Sequence, residues 1–357
     1  MPVRDENMDG SSNIGVDKLA FPYIVSGKHT DGTLPTVTWV AKGGADSGGA
    51  TGVSHVGTRK DPFLTLWGTN GAQRYTVDGR GDRIILGPGT WRENGDFGSG
   101  TGTTGSAGRM NKRDIGIYGS GGAHAGRTQI VGDGSTTGPT IRVRDGYLRG
   151  FILADLEVGA VTTADADRAV PGIELETEDT GTLTATSSDE WAVLRNVDLF
   201  SDTTGTAGLL LTGTTMLKCY NLNVSGWIMG VMFRGSANNN PDNCRFYGIE
   251  FTDNLTADIG AGTISEVGVY PTTWTMAGLN ATNVLFYRPM HMDRGGTPVT
   301  NYINWGGGSG VGTTVNCGEI NAYWMRDVAD GTLTQIPADF VLMGVSAASG
   351  DEVVIGA

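Results

Sequence analysis

The sequence predicts an all-β chain, a solenoid of short parallel strands with two or three strands to a coil and coil stacked on coil. Three observations lead there. Short apolar runs rich in Val, Ile, Leu and aromatic residues recur along the chain, each closed by Gly, Asn or Asp. Glycine occurs 58 times in 357 residues, roughly double the usual share and without a three-residue period. The runs follow one another at about 10 residues within a pair and roughly 20 to 30 between pairs, and no stretch keeps apolar residues at helical spacing over three turns. A sandwich or up-and-down barrel would show longer strands and tight two-residue hairpin turns.

The elements can be justified in order. Residues 1–60 contain the Gly/Ser/Thr-rich stretch WVAKGGADSGGATGVSHVGTRK and few apolar residues, which predicts an extended N-terminal arm or attachment segment. From 61 to 300 the coil rhythm holds. RIIL (83–86) runs into Gly87-Pro88-Gly89, a corner that turns the first coil, with Trp91 beginning the next face. DIGIYG, TQIVGDG, TIRVRDG, YLRGFILADLEVG, PGIELET, WAVLRNVDLF, AGLLLTG, MLKCYNLNVSG, IMGVMFRGS, DNCRFYGIEFTDN, EVGVYPTT and LNATNVLFY follow. The polar insert 93–113 is expected to project from one edge. The rhythm breaks at 301–357, which predicts a C-terminal β cap or oligomer-contact region with Trp305, Tyr323, Trp324 and Met325 as apolar partner contacts.

These residues resemble a known family. DPFLTL (61–66), GDRIILGPGTWREN (81–94), RDIGIYGSGG (113–122), TQIVGDG and TIRVRDG look like the opening coils of pectin-lyase-like right-handed parallel β-helix proteins, and the later GIELET, AGLLLTG and GVMFRGS runs resemble their repeating coils. The resemblance covers about residues 61–290. It implies the right-handed parallel β-helix, a fold that hosts lyases, hydrolases, epimerases, viral tailspikes and virion surface proteins. One departure concerns the end of the rod. Many relatives carry a short amphipathic capping helix after the opening segment, whereas LWGTNGAQRYTVDGRGD is Gly-rich. The cap is therefore expected from residues 1–60 or from a partner chain.

Bulk chemistry narrows the function. A net charge of −13 argues against nucleic acid and against anionic membranes, which are bound through Lys and Arg. No apolar run is long enough to span a bilayer. The opening MPVRDENMDGSSN has no apolar core of a signal peptide, so synthesis in a cytoplasm without export is expected. Cys219, Cys244 and Cys317 are scattered and odd in number, which predicts buried thiols and no disulfide framework. His29, His55, His124 and His291 lie far apart with no metal-ligand spacing; surface or hydrogen-bonded histidine is expected, with no metal and no cofactor.

Enzymes of the resembled family use carboxylate clusters with an Arg or Lys base, or paired acids. Two acidic groups fit that description. Asp165 and Asp167 lie on one side of an extended segment ahead of Arg168, and Glu174 and Glu176 share a strand face. Strand alternation gives the simpler account of the second pair, with Glu174 and Glu176 facing solvent and Ile173 and Leu175 inside. Exposed Trp or Tyr beside Asp and Asn would make a sugar-stacking platform; in a solenoid, aromatic residues more often fill the core. The expectation is a structural protein of a virus particle of the tailed-phage kind, a β-helical spike, tailspike or capsid-decorating protein located on the virion. It would form a homo-oligomer, a trimer, contact other virion proteins through its N-terminal arm, and take host surface polysaccharide as candidate ligand. The alternative is a polysaccharide-degrading lyase or hydrolase of the β-helix class, free or as a tailspike depolymerase.

Overall fold

The chain is seen in a computed structural model. It describes residues 37–44, 62–66, 72, 76, 78–92, 95–97, 113–120, 127–132, 139–143, 148–160, 171–176, 191–201, 205–234, 241–254, 257–261, 281–293, 301–304, 314–315, 318–320, 322–327 and 333–338. Every element among them longer than a turn is a strand.

The strands group by coil. β1 (Val37–Val40) stands first. β2 (Arg83–Leu86), β3 (Gly89–Arg92) and β4 (Gly95–Phe97) make one coil, and β5 (Gly116–Tyr118), β6 (Thr128–Val131) and β7 (Ile141–Val143) the next. Then come β8 (Phe151–Ala160) with β9 (Ile173–Glu176), β10 (Ala192–Ser201) with β11 (Ala207–Thr212), and β12 (Leu217–Ser225) with β13 (Met229–Arg234). β14 (Arg245–Tyr247), β15 (Glu250–Thr252) and β16 (Ala257–Ala261) form the following coil, and β17 (Ala281–Thr282) leads into β18 (Leu285–Tyr287), β19 (Met290–Asp293) and β20 (Asn301–Asn304). β21 (Thr314–Val315), β22 (Gly318–Ile320), β23 (Ala322–Asp327) and β24 (Leu333–Ala338) end the described chain.

Each coil has three faces. The first is β1, β2, β5, the opening halves of β8, β10 and β12, then β14, β18 and β22; the second is β3, β6, the closing halves of β8, β10 and β12, then β15, β19 and β23. The third is the separate seven-stranded sheet of β4, β7, β9, β11, β13, β16 and β20. All pairings are parallel except β23 with β24. This is a parallel β-helix, the fold class predicted from the sequence. Parallel pairing starts at Val37 and reaches Arg326. Most of the predicted arm lies outside the described residues.

The register explains why these residues form this rod. One inward column reads Ile84, Ile117, Leu153, Leu194, Cys219, Phe246, Phe286 up successive coils. A second reads Trp91, Ile130, Val158, Leu199, Val224, Phe251, and the third face adds Ile173, Leu209, Val231 and Ile259. All of these side chains are buried. Each buried side chain of this kind contributes about 1.5–3 kcal/mol, and the repeat along the axis makes the core one continuous cluster.

The corners are equally ordered. β8, β10 and β12 are continuous through a bend at Asp155, Asn196 and Asn221, with φ of 59°, 50° and 52°. That is why runs predicted as single short strands merge into strands of nine or ten residues. The bend residues stack: Asn196 Nδ2 donates to Asp155 Oδ1 at 2.7 Å, and Asn221 Nδ2 to Asn196 Oδ1 at 3.0 Å. Asn and Asp tolerate the left-handed region because their short polar side chains bond locally. At the opening corner Gly89 sits at φ 125°, and the Trp91 indole donates to the Gly87 carbonyl at 3.3 Å. Coil lengths vary freely, with 41 residues between Asp155 and Asn196 and 25 between Asn196 and Asn221, since inserts do not disturb the stack.

Candidate functional site

The outer side of the first face carries a column that the rod geometry creates. Tyr220, Tyr247 and Tyr287 are register partners on β12, β14 and β18. Their rings stack almost flat, with centroids 5.1 Å and 4.9 Å apart and planes within 9° and 8°, close to the rung spacing of about 4.8 Å. Tyr247 is the most open of the three, with 36% of its surface exposed. Because the ring faces are used against each other, the column presents ring edges and phenol groups as a line of polar handles on an apolar strip.

Cations flank the column. Lys218 and Arg245 are register partners two residues before the tyrosines, and Arg288 occupies the bend directly after Tyr287. Lys218 and Arg288 are exposed and Arg245 is half-buried, with its guanidinium donating to the Cys244 and Asn283 carbonyls. Among the described residues none of these three has a carboxylate partner. Arg195, next in the tyrosine column, differs: it donates to Asp155 at 2.8 Å. The strip is therefore a positive, aromatic surface on a chain of net charge −13.

A second polar cluster lies on the outer side of the third face. Glu174 on β9 is wholly buried, with Arg234 Nη2 at 3.0 Å from Oε1 and Arg142 Nε at 3.1 Å from Oε2. Arg142 Nη2 also lies 3.7 Å from Glu176 Oε2, and Arg234 Nε donates to Thr212 Oγ1 at 2.9 Å. The solvent-facing position expected for Glu174 is thus corrected. Alternation of inward and outward holds on β9, but the outward side of this sheet is itself covered: Leu210 and Met232, which continue the Glu174 column, are also fully buried. Glu176 is half-buried at the edge. Asp165, Asp167 and Arg168 lie outside the described residues, as do Trp305, His29, His55, His124 and Cys317. Tyr323, Trp324 and Met325 form the middle of β23, opposite Met290, His291 and Met292 of β19.

The fourth histidine is inside the rod. His291 continues the column of Phe251 and stacks on that ring at 5.1 Å. Its two ring nitrogens each lie 2.7 Å from a carboxylate oxygen, of Asp258 and of Glu319. Burial pushes the imidazole toward the neutral form. The Glu319 charge and the hydrogen bonds to Asp258 and Glu319 outweigh it and raise the pKa to about 10. Among the described residues no group of three His, Cys, Asp or Glu side chains is placed to hold a metal ion. Cys219 and Cys244 are buried and unbridged, and burial pushes the Cys219 thiol well up.

The three faces and the register define a parallel β-helix protein, the fold of the pectin-lyase-like class that the sequence motifs resemble. Two pectin methylesterase structures are similar in outline. One, in complex with a hexasaccharide, matches at a TM-score of 0.33 and 9% identity, and the other, PemA of Erwinia chrysanthemi, at 0.30 and 8%; each match covers 84% of this chain and 85% of the other. No family model and no curated protein matches the chain.

Proposed function

We propose that the chain is a β-helical surface protein that holds an acidic polysaccharide along its tyrosine and cation strip. The carrying observation is the alignment of Tyr220, Tyr247 and Tyr287 beside Lys218, Arg245 and Arg288, cations with no carboxylate partner among the described residues. Successive coils repeat their groups at a near-constant step, and an extended glycan repeats its own hydroxyl and carboxylate groups at a similar one. A rigid row of phenols and ammonium or guanidinium groups therefore meets such a chain in register, with little ordering cost on the protein side. Charge selects the ligand, since an acidic glycan gains charge-assisted hydrogen bonds that a neutral one lacks.

The setting we propose is the one argued from the sequence, a trimeric spike or decoration protein on the surface of a virus particle of the tailed-phage kind, with other virion proteins as neighbours. A stiff rod that carries a glycan-holding face suits that place. Calorimetric titration with an acidic and a neutral polysaccharide tests the binding reading. Binding to the acidic chain alone is expected, weakened by salt. Lys218→Ala lowers affinity by about tenfold, the equivalent of one charge-assisted hydrogen bond. Equal binding of both polysaccharides, or wild-type affinity in Lys218→Ala and Tyr247→Ala, overturns it.

One observation favours a second reading, a polysaccharide lyase or hydrolase. Arg142, Glu174, Glu176 and Arg234 bring two acids and two guanidinium groups onto one sheet face. Release of reducing ends or of unsaturated uronates that disappears in Glu176→Gln would establish it, and acidic polysaccharide left intact would remove it.

A further inference from the structure

We propose that Asp258, His291 and Glu319 form a charged latch that ties three consecutive coils together and frees the C-terminal coils when the imidazolium gives its proton to solvent. The two inward columns of the rod are apolar from Ile84 to Phe286 and from Trp91 to Phe251. At the next rung both change chemistry, Phe251 giving way to His291 and Phe286 to Glu319. Those two residues face each other across the interior at 2.7 Å, and Asp258 closes the set from the third face. Asp258 belongs to the coil of β14, β15 and β16, His291 to that of β18, β19 and β20, and Glu319 to that of β22 and β23. One imidazolium thus bridges carboxylates from the coil before it and the coil after it.

The latch is anchored from behind. Asn254 Nδ2 donates to Asp258 Oδ1 at 2.8 Å and to the Val224 carbonyl at 3.2 Å, while its own Oδ1 accepts from the Trp227 backbone N–H at 3.1 Å. The charged groups that face His291 among the described residues are Asp258 from β16 and Glu319 from β22; β15 offers only the Phe251 ring. A solenoid frays from its ends, because a terminal coil has one neighbour instead of two. A buried ion group resists that fraying through a steep penalty. Parting the coils leaves Asp258 or Glu319 without its cation, and an uncompensated buried charge is strongly unfavourable. Removing the proton from His291 does the same with the coils still closed.

The sign follows from the raised folded value. Below pH 6.5, the ordinary histidine value, closed and opened coils both hold the proton and the latch contributes in full. Between 6.5 and about 10 only the closed coils hold it, so opening grows more favourable as pH rises, and the contribution is lost above about 10. Across that window the opening equilibrium of the C-terminal coils rises by up to about tenfold per pH unit.

Hydrogen exchange followed by mass spectrometry on the full chain, corrected for intrinsic exchange, tests this from pH 7 to 9. Peptides from β18 to β22 are expected to open up to about a hundredfold more at pH 9 than at pH 7, while peptides from β10 to β12 stay level. Imidazole nitrogen NMR is expected to show His291 as imidazolium at pH 8, assigned by its loss in His291→Phe. Asp258→Asn combined with Glu319→Gln flattens the pH response. A neutral His291 at pH 8 overturns the latch, as does a pH response equal along the rod or missing at β18 to β22. Should the double variant not fold, the wild-type titration decides alone.

Discussion

Replacing Glu174 by Ala removes the one anion between two guanidinium groups. Glu174 has no exposed surface, and the Arg234 side chain is only 9% exposed, so these charges are desolvated on the outer side of the third face. Removing one partner of a buried pair costs about 3–5 kcal/mol, because the remaining charge is left uncompensated. Arg142 at 28% exposure can turn toward water and recover part of its hydration, which places the expected loss near 3 kcal/mol, the low end. The column supplies a control. Glu174 is followed by Leu210 and Met232, both fully buried, so Leu at 174 with Met at 142 and 234 extends an apolar strip. Such a replacement of buried ions by apolar groups is expected to be neutral or stabilising by about 1–4 kcal/mol. Urea unfolding reads both, with the slope checked for constancy so that a midpoint shift reports stability. A Glu174→Ala loss below about 0.5 kcal/mol would refute the reasoning, since that is the level of an exposed ion pair.

The other expectations are narrower. Phe286→Ala opens a gap beside Phe246, whose ring stacks on it at 4.2 Å, and should cost about 3–5 kcal/mol in the same unfolding assay. Arg288 holds φ at 54° on an exposed bend; Arg288→Gly should stabilise by about 1 kcal/mol by removing left-handed strain while weakening acidic glycan in calorimetry, a pair of opposite effects that no purely structural role produces.

The rod was legible because its signals are local. Apolar runs, their glycine and asparagine stops and their irregular spacing sit in the sequence; β2, β5, β6 and β7 fall on the runs that predicted them, and Trp91, expected to begin the next face, lies on β3, which already starts at the corner residue Gly89. What escaped needs coil register. In CYN, FYG and FYR (219–221, 246–248, 286–288) a tyrosine sits at the same phase between an inward residue and a bend. Only alignment of coils 27 to 40 residues apart would have revealed the column, and the varying inserts hide that alignment. Likewise EFTD and MHMD differ by one inward residue, Phe251 against His291. Glu174 was misplaced for a different reason. Alternation tells inward from outward, and it does not tell whether the outward side is covered.

Those three cases share one physical cause. In a stacked coil the unit of chemistry is the column, a set of side chains at equal phase and nearly equal spacing, and each column takes its character from its surroundings. Facing water, the tyrosine column is ordered by ring stacking from coil to coil, which lines its phenol groups up along the strip. Facing a covered surface, the Glu174 column must neutralise itself, and it does so with Arg142 and Arg234. Facing the interior, a polar residue survives only with full pairing, and His291 meets that demand by drawing a carboxylate from each neighbouring coil. The second and third cases are costly to disturb and belong to stability. The first can be changed at little cost to the rod, since Lys218 and Tyr247 are exposed. That asymmetry makes substitutions on the first face the clean test of the proposed function.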